Sequence, residues 1–200
     1  MLFKVLKKNK DNVLISKIRL AILKGFNFEI INEDALTHKF TQKYDRIFCE
    51  FPLALRVNEV ILNQIEKNLF FTWNKPGLTA DWIFINKIVT TLKEKGKAVA
   101  IVADGPLFKS MDADYRRDLI TSGVVKEIIK LPNDVIQNTS ISANLIVLSK
   151  SNKENKIKFI DASQEYLKNK IGKKQLDVKT IINLIDGKTT NEDKVKIVEC

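Results

Sequence analysis

Cysteine is almost missing from this sequence, and so is histidine. Cys49, Cys200 and His38 are its only thiol and imidazole groups. Their spacing makes neither a disulfide framework nor a zinc site, so no metal centre is expected. Glycine is scarce and always isolated, at Gly25, Gly77, Gly96, Gly105, Gly123, Gly172 and Gly187. No G-x-G occurs, which excludes the usual phosphate and dinucleotide loops. No apolar run approaches the ~18 residues of a membrane span. The basic N-terminus MLFKVLKKNKDNVLISK lacks a long apolar stretch and a small-residue cleavage site. It reads as structure, not as a signal peptide. No membrane partner is expected, and a reducing cytoplasm fits. Arginine is confined to Arg19, Arg46, Arg56, Arg116 and Arg117, which limits base-edge reading by guanidinium groups.

What remains is lysine, asparagine and apolar residues. The 200 residues are 44% hydrophobic, enough for one α/β domain with a real core. The net charge of +10 has two readings. One is a polyanion partner, most simply DNA. The other is the lysine and asparagine bias of AT-rich coding sequence. Any DNA contact would be mostly lysine to phosphate, which positions the protein without reading sequence.

The apolar spacing predicts helices over 13–24 and 57–71. A third follows Thr79 as N-cap, with Asp81 in its first turn and Gly96 as its stop. Further helices are expected over 112–122, 164–170 and 178–185. Strands are expected over 26–31, 44–49, 97–102, 124–131, 142–149 and 156–160, and the last ten residues look frayed. Residues 103–106 read as a turn. Trp73 and Trp82 read as core or groove-wall residues. Alternating strands and helices argue for a mostly parallel, doubly wound sheet. Ligands bind such sheets at the carboxyl ends of the strands. The ends of interest are therefore 32–34, 50–53, 104–105 and 131–134.

Several of these segments resemble the N6-adenine DNA methylase family, as found in modification subunits of type I restriction systems. Val99 to Phe108 (VAIVADGPLF) resembles its VLPNGVLF strand and turn. Arg116 or Arg117 with Leu119 resembles the following helix. Ile128 to Pro132 (IIKLP) and Asn138 to Ile141 (NTSI) resemble its next strand and loop. Asn144 to Lys150 (NLIVLSK) and Phe159 to Ser163 (FIDAS) follow in the same order, and the likeness covers residues 18 to 165.

The resemblance implies an incomplete Rossmann-like, S-adenosylmethionine-dependent methyltransferase fold whose first two strands are missing. It places such a domain at 1–165, with a helical extension at 166–200. The strand over 26–31 then lacks its family neighbour and must pair elsewhere, stay open or meet another chain. The implied activity is methyl transfer to adenine N6 in DNA. The family's catalytic block reads D-x-I-x-x-N-P-P-F/Y. Here the same register reads Asp45, Arg46, Ile47, Phe48, Cys49, Glu50, Phe51, Pro52, Leu53. Glu50, Phe51, Pro52 and Leu53 are thus a degenerate counterpart. Glu50 lacks an amide donor, Phe51 frees a dihedral that proline fixes, and Leu53 has no π face. Three departures together imply lost or strongly reduced catalysis.

Asp34, in Asn32-Glu33-Asp34-Ala35-Leu36, matches the family's cofactor-adenine aspartate, with Glu33 where the family has glycine. The glycine-rich cofactor loop and the ribose carboxylate have no counterpart. Asn138, Thr139, Ser140, Lys173 and Lys174 are candidate DNA contacts, against the plainer reading of a strand-entry turn and a solvated lysine run. The implied partners are DNA, a specificity subunit, a restriction subunit of the same system and an upstream chain that supplies the cofactor loop. The alternative is a non-catalytic, methyltransferase-like module that binds DNA or subunits.

Overall fold

The computed structural model describes residues 2–22, 27–53, 55–65, 68–72, 79–136, 139–151, 154–188 and 193–200. The chain forms two compact units, one of residues 1–41 and 57–68, the other of 42–56 and 69–200.

The first unit is built on β1 (Leu2–Leu6), α1 (Lys10–Ile22) and β2 (Asn27–Ile31). β1 and β2 pair in parallel, Leu2 beside Asn27 through Leu6 beside Ile31. The strand that sequence left without a neighbour therefore finds one in a segment not read as a strand. Asn9 starts α1, its Oδ1 accepting from the amides of Asp11 and Asn12 at 2.7 and 3.2 Å. No residue of α1 is buried, and Leu14, Ile15, Ile18 and Ile22 share an exposed apolar face. The helix expected over 57–71 is only α2 (Glu59–Gln64). Asn58 caps it by accepting from the Ile61 amide at 3.0 Å, and Ile65 is already extended.

The second unit holds a six-stranded sheet of β3 (Tyr44–Glu50), β4 (Leu92–Ala103), β5 (Val125–Lys130), β6 (Ala143–Ser149), β7 (Lys156–Asp161) and β10 (Val195–Glu199). Their order across the sheet is β10-β7-β5-β6-β4-β3. β3, β4, β5 and β7 run one way, and β6 and β10 the other. The α/β class agrees with expectation, but the sheet is mixed: four strands share a direction, while the β10–β7, β5–β6 and β6–β4 pairs are antiparallel. The antiparallel β6 between β4 and β5 was not legible from periodicity.

α3 (Ala80–Thr91) is buried on nearly every side, its polar Asp81, Asn86 and Lys87 included. Thr79 occupies the cap position without making a side-chain cap bond. Gly96 does not stop this helix, because β4 already begins at Leu92. Its place is a close approach, where a Cβ would lie 2.7 Å from Leu92 Cδ1. The expected turn at 103–106 is a short helix, α4 (Asp104–Phe108), and α5 (Ala113–Thr121) ends before Gly123, at φ 69°.

Beyond residue 165 the expectation of an all-helical segment is corrected. Residues 166–168 and 174–176, with the Lys173-Lys174 run between and within them, form an antiparallel hairpin of β8 (Tyr166–Lys168) and β9 (Lys174–Leu176). Only α6 (Val178–Ile185) is helical among the described residues there. Ile181 and Leu184 of α6 pack on Ile129, Ile160 and Ala162. The Lys158 ammonium donates to the carbonyls of Leu184 and Ile185, satisfying groups that a helix terminus leaves open. The terminal residues are not frayed, since β10 pairs along β7 from Val195–Ile160 to Glu199–Lys156.

Candidate active site

Strand register builds the site. Glu50, the last residue of β3, lies beside Ile101 of β4. Ala103 of β4 lies opposite Ala143, the first residue of β6. The carboxyl ends of β3 and β4 and the entry to β6 therefore share one rim of the sheet. Asp104 is latched to that entry: its amide donates to Ser142 O at 3.1 Å and its Oδ1 accepts from Asn144 Nδ2 at 2.7 Å. The Ser142 hydroxyl bonds Asn133 Oδ1 at 2.8 Å, tying in the loop after β5.

These segments surround a cleft of about 240 Å³ lined by Glu50, Phe51, Pro52, Leu53, Ile101 and Thr139, with Ile136 and Ile141 completing its wall. Glu50 and Pro52 are exposed and Leu53 is half-buried. Phe51 is buried, with its ring stacked on Phe84 of α3 at 4.7 Å and 7°. Its side chain has become part of the packing beneath the cleft. Thr139 is turned back on its own loop, its Oγ1 accepting from the Ile141 amide at 3.1 Å. Ser140 is exposed, and Asn138 lies outside the described residues. Sequence reasoning missed Ile101, Ile136 and Ile141, whose apolar side chains carry no chemical signal. Only the cross-strand register of β3 on β4 points to Ile101.

The other candidates are not among the residues that line this cleft. Asp34 belongs to the first unit, in a turn where its Oδ1 accepts from the Leu36 amide at 2.9 Å and its Oδ2 meets Lys8 Nζ at 2.8 Å. Lys173 is exposed on the hairpin. Lys174 lies 4.6 Å above the Tyr166 ring and 3.8 Å from Asp134. Trp73 is outside the described residues, and Trp82 is fully buried. A larger hollow of about 470 Å³, lined by Trp82, Arg116, Ile128, Asn144 and Phe159 among others, contains none of the candidate residues.

Asp81, in the first turn of α3, is fully buried, and neither carboxylate oxygen has a hydrogen-bond partner. Burial pushes its pKa up, and the nearby Asp112 carboxylate adds to this. The Ala103 amide and the Thr79 hydroxyl, close but outside hydrogen-bonding geometry, offset part of the shift. Among the described residues no cluster of three or more metal-ligating side chains occurs. No described helix is long and apolar enough to cross a membrane.

The model of the N-6 DNA Methylase family matches residues 7–198. The chain belongs to this family. It is 25% identical over 194 residues to the type I restriction enzyme MpnII methylase subunit of Mycoplasma pneumoniae, covering 86% of this chain and 35% of that protein. It is 24% identical over 181 residues to the MjaVIII methylase subunit of Methanocaldococcus jannaschii, covering 80% of this chain and 31% of the other. Its fold matches the type I restriction-modification methyltransferase subunit of Streptococcus thermophilus with a TM-score of 0.82, at 21% identity, over 97% of this chain and 44% of that one. The chain spans about a third of the length of these curated relatives. A class I S-adenosylmethionine-dependent methyltransferase of Listeria monocytogenes shares the fold at a TM-score of 0.67.

Neither the cleft at Glu50 nor Asp34 by itself makes a cradle for S-adenosylmethionine. The sequence has no G-x-G where backbone must approach a ligand. Asp34, the expected adenine contact, spends its carboxylate on Leu36 and Lys8. The cleft at Glu50 is smaller than the roughly 300–1,000 Å³ of ordinary small-molecule pockets.

Proposed function

We propose that this chain is the target-base part of an adenine-N6 DNA methyltransferase, the modification subunit of a cytoplasmic type I restriction-modification system. Residues 1–165 carry the methyltransferase part and 166–200 an extension. The observation behind this reading is the cleft at the ends of β3 and β4, where Glu50, Phe51, Pro52 and Leu53 meet Thr139. An adenine must leave the duplex before its amino group can be reached. Glu50 then supplies a carboxylate acceptor for that amino group, while Pro52 and Leu53 supply an apolar wall. Catalysis here is positioning and electrostatics. Leu53 forgoes the ~1–3 kcal/mol that an aromatic ring gains by stacking on a base. S-adenosylmethionine supplies the methyl group, and its cradle comes from an upstream chain. DNA, a specificity subunit and a restriction subunit are the further partners.

The chain alone is expected to transfer no tritiated methyl group to duplex DNA. Combined with an upstream chain bearing a glycine-rich loop and with a specificity subunit, it is expected to label adenine N6. A folded, assembled complex that labels nothing defeats the enzymatic reading. Burial of Phe51 against Phe84 favours a second reading, in which the strand end has been given over to packing and the chain is a non-catalytic binding module. Micromolar S-adenosylmethionine binding by the isolated chain, about −8 kcal/mol, would rule that module out in calorimetry.

A further inference from the structure

We propose that the β8–β9 hairpin is a DNA-backbone clamp that carries Ile171 as an apolar wedge at its tip. This inference rests on the reading of DNA as the partner. It assigns the contact to an element outside the cleft.

Residues 166–176 contain Lys168, Lys170, Lys173 and Lys174 and no acidic residue. Lys168, Lys170 and Lys173 are exposed and form no ion pair among the described residues. Register sets Lys168 directly opposite Lys174, a like-charge pair that costs stability in an isolated hairpin. Asp134 offsets part of that cost from the Lys174 side, and an anion beside Lys168 offsets the rest.

The tip is well defined. Asn169 Oδ1 accepts from the amides of Ile171 and Lys173 at 3.1 and 2.8 Å. Its backbone carbonyl accepts from the Gly172 amide at 2.9 Å, with Gly172 at φ 78°. This ordered turn holds Ile171 out at 84% exposure, and Leu167 of β8 is also exposed. An isoleucine held into water at the end of a lysine-lined hairpin fits the chemistry of a groove-inserted wedge flanked by phosphate contacts.

The hairpin is also placed for the task. Lys174 pairs with Asp134 at 3.8 Å, in the loop after β5 whose Ile136 lines the cleft. Lys174, stacked on Tyr166, is the anchor. The hairpin follows the carboxyl end of β7, which runs the same way as β3 and β4, and its other three lysines are exposed.

The test is fluorescence anisotropy of the full chain on a labelled 30-base-pair duplex across a salt series. Lys168→Gln/Lys170→Gln/Lys173→Gln is compared with a charge-matched Lys95→Gln/Lys97→Gln/Lys156→Gln control at the opposite ends of β4 and β7. The hairpin variant is expected to flatten the slope of log K against log salt by about 2–3, at ~0.9 for each phosphate no longer neutralised. The control is expected to keep the wild-type slope more nearly. Ile171→Ser is expected to leave the slope alone and to abolish the 2-aminopurine fluorescence rise that marks unstacking. A wild-type chain that does not bind the duplex removes both the DNA reading and the clamp. Wild-type binding with an unchanged slope in the hairpin variant overturns the clamp alone. No 2-aminopurine rise in the wild type overturns the wedge, and tighter binding to phosphatidylserine vesicles than to duplex overturns the DNA assignment of the hairpin.

Discussion

Phe51 stands where the family has proline, and its ring lies flat on Phe84 inside the second unit. Phe51→Ala removes a buried aromatic ring and leaves a void against α3. It is expected to cost roughly 3–5 kcal/mol, read as a lower urea midpoint at constant slope. Asp81 is the opposite case, a buried carboxylate without a partner. Its folded pKa is raised above the ordinary value of 3.8, chiefly by burial. Between those two values the native state holds more protons than the unfolded chain, so stability falls as pH rises and the penalty is complete above the raised pKa. Asp81→Asn, which removes the charge and keeps the shape, is expected to melt above the wild type at neutral pH. The two melting curves should converge below about pH 3.8.

At the scale of elements, α6 shows how a short helix is fixed at both ends. Asp177 accepts from the Thr180 amide at 3.1 Å and from its hydroxyl at 2.8 Å. These bonds hold the Asp177 carboxyl below its ordinary pKa. The capping contribution is present above the unfolded value of 3.8 and is lost as pH falls through the lowered folded value. Asp177→Ala is therefore expected to lower the melting temperature at neutral pH and to match the wild type in strong acid. α6 was legible from its apolar spacing alone, and the helix falls on the expected residues 178–185. The strands β3, β5, β6 and β7 were legible for the same reason. β1, β8, β9 and β10 were not, because Lys4, Lys168, Lys174 and Lys196 break their apolar pattern and pairing decides them. Gly96 misled because the close approach that requires it lies within a strand. The chemistry-bearing wall of the cleft could be found at the end of a strand. Its apolar wall could not, since a register must be known first.

For the whole molecule, burial divides the two units. β4 and β6 in the second carry residues at 0–2% exposure, including Ala98, Ala100, Val102, Ile146 and Leu148, whereas α1 in the first buries nothing. A two-stranded parallel sheet with an uncovered helix holds little apolar surface away from water, and parallel sheets ordinarily occur with both faces covered. Hydrogen exchange is expected to be fast throughout β1, α1 and β2 and slow in β4 and β6, which would open only with the global transition. Equal protection in both units would contradict this. The position of β3 at the end of the sheet order has a consequence for supply. Phe48 is 69% exposed there, and Ile47 and Cys49 are half-buried, so that strand carries apolar surface at the margin of the sheet. Yield in soluble form should then track dosage: overproduced by itself the chain precipitates, and matched in amount to whatever lies along that margin it stays in solution.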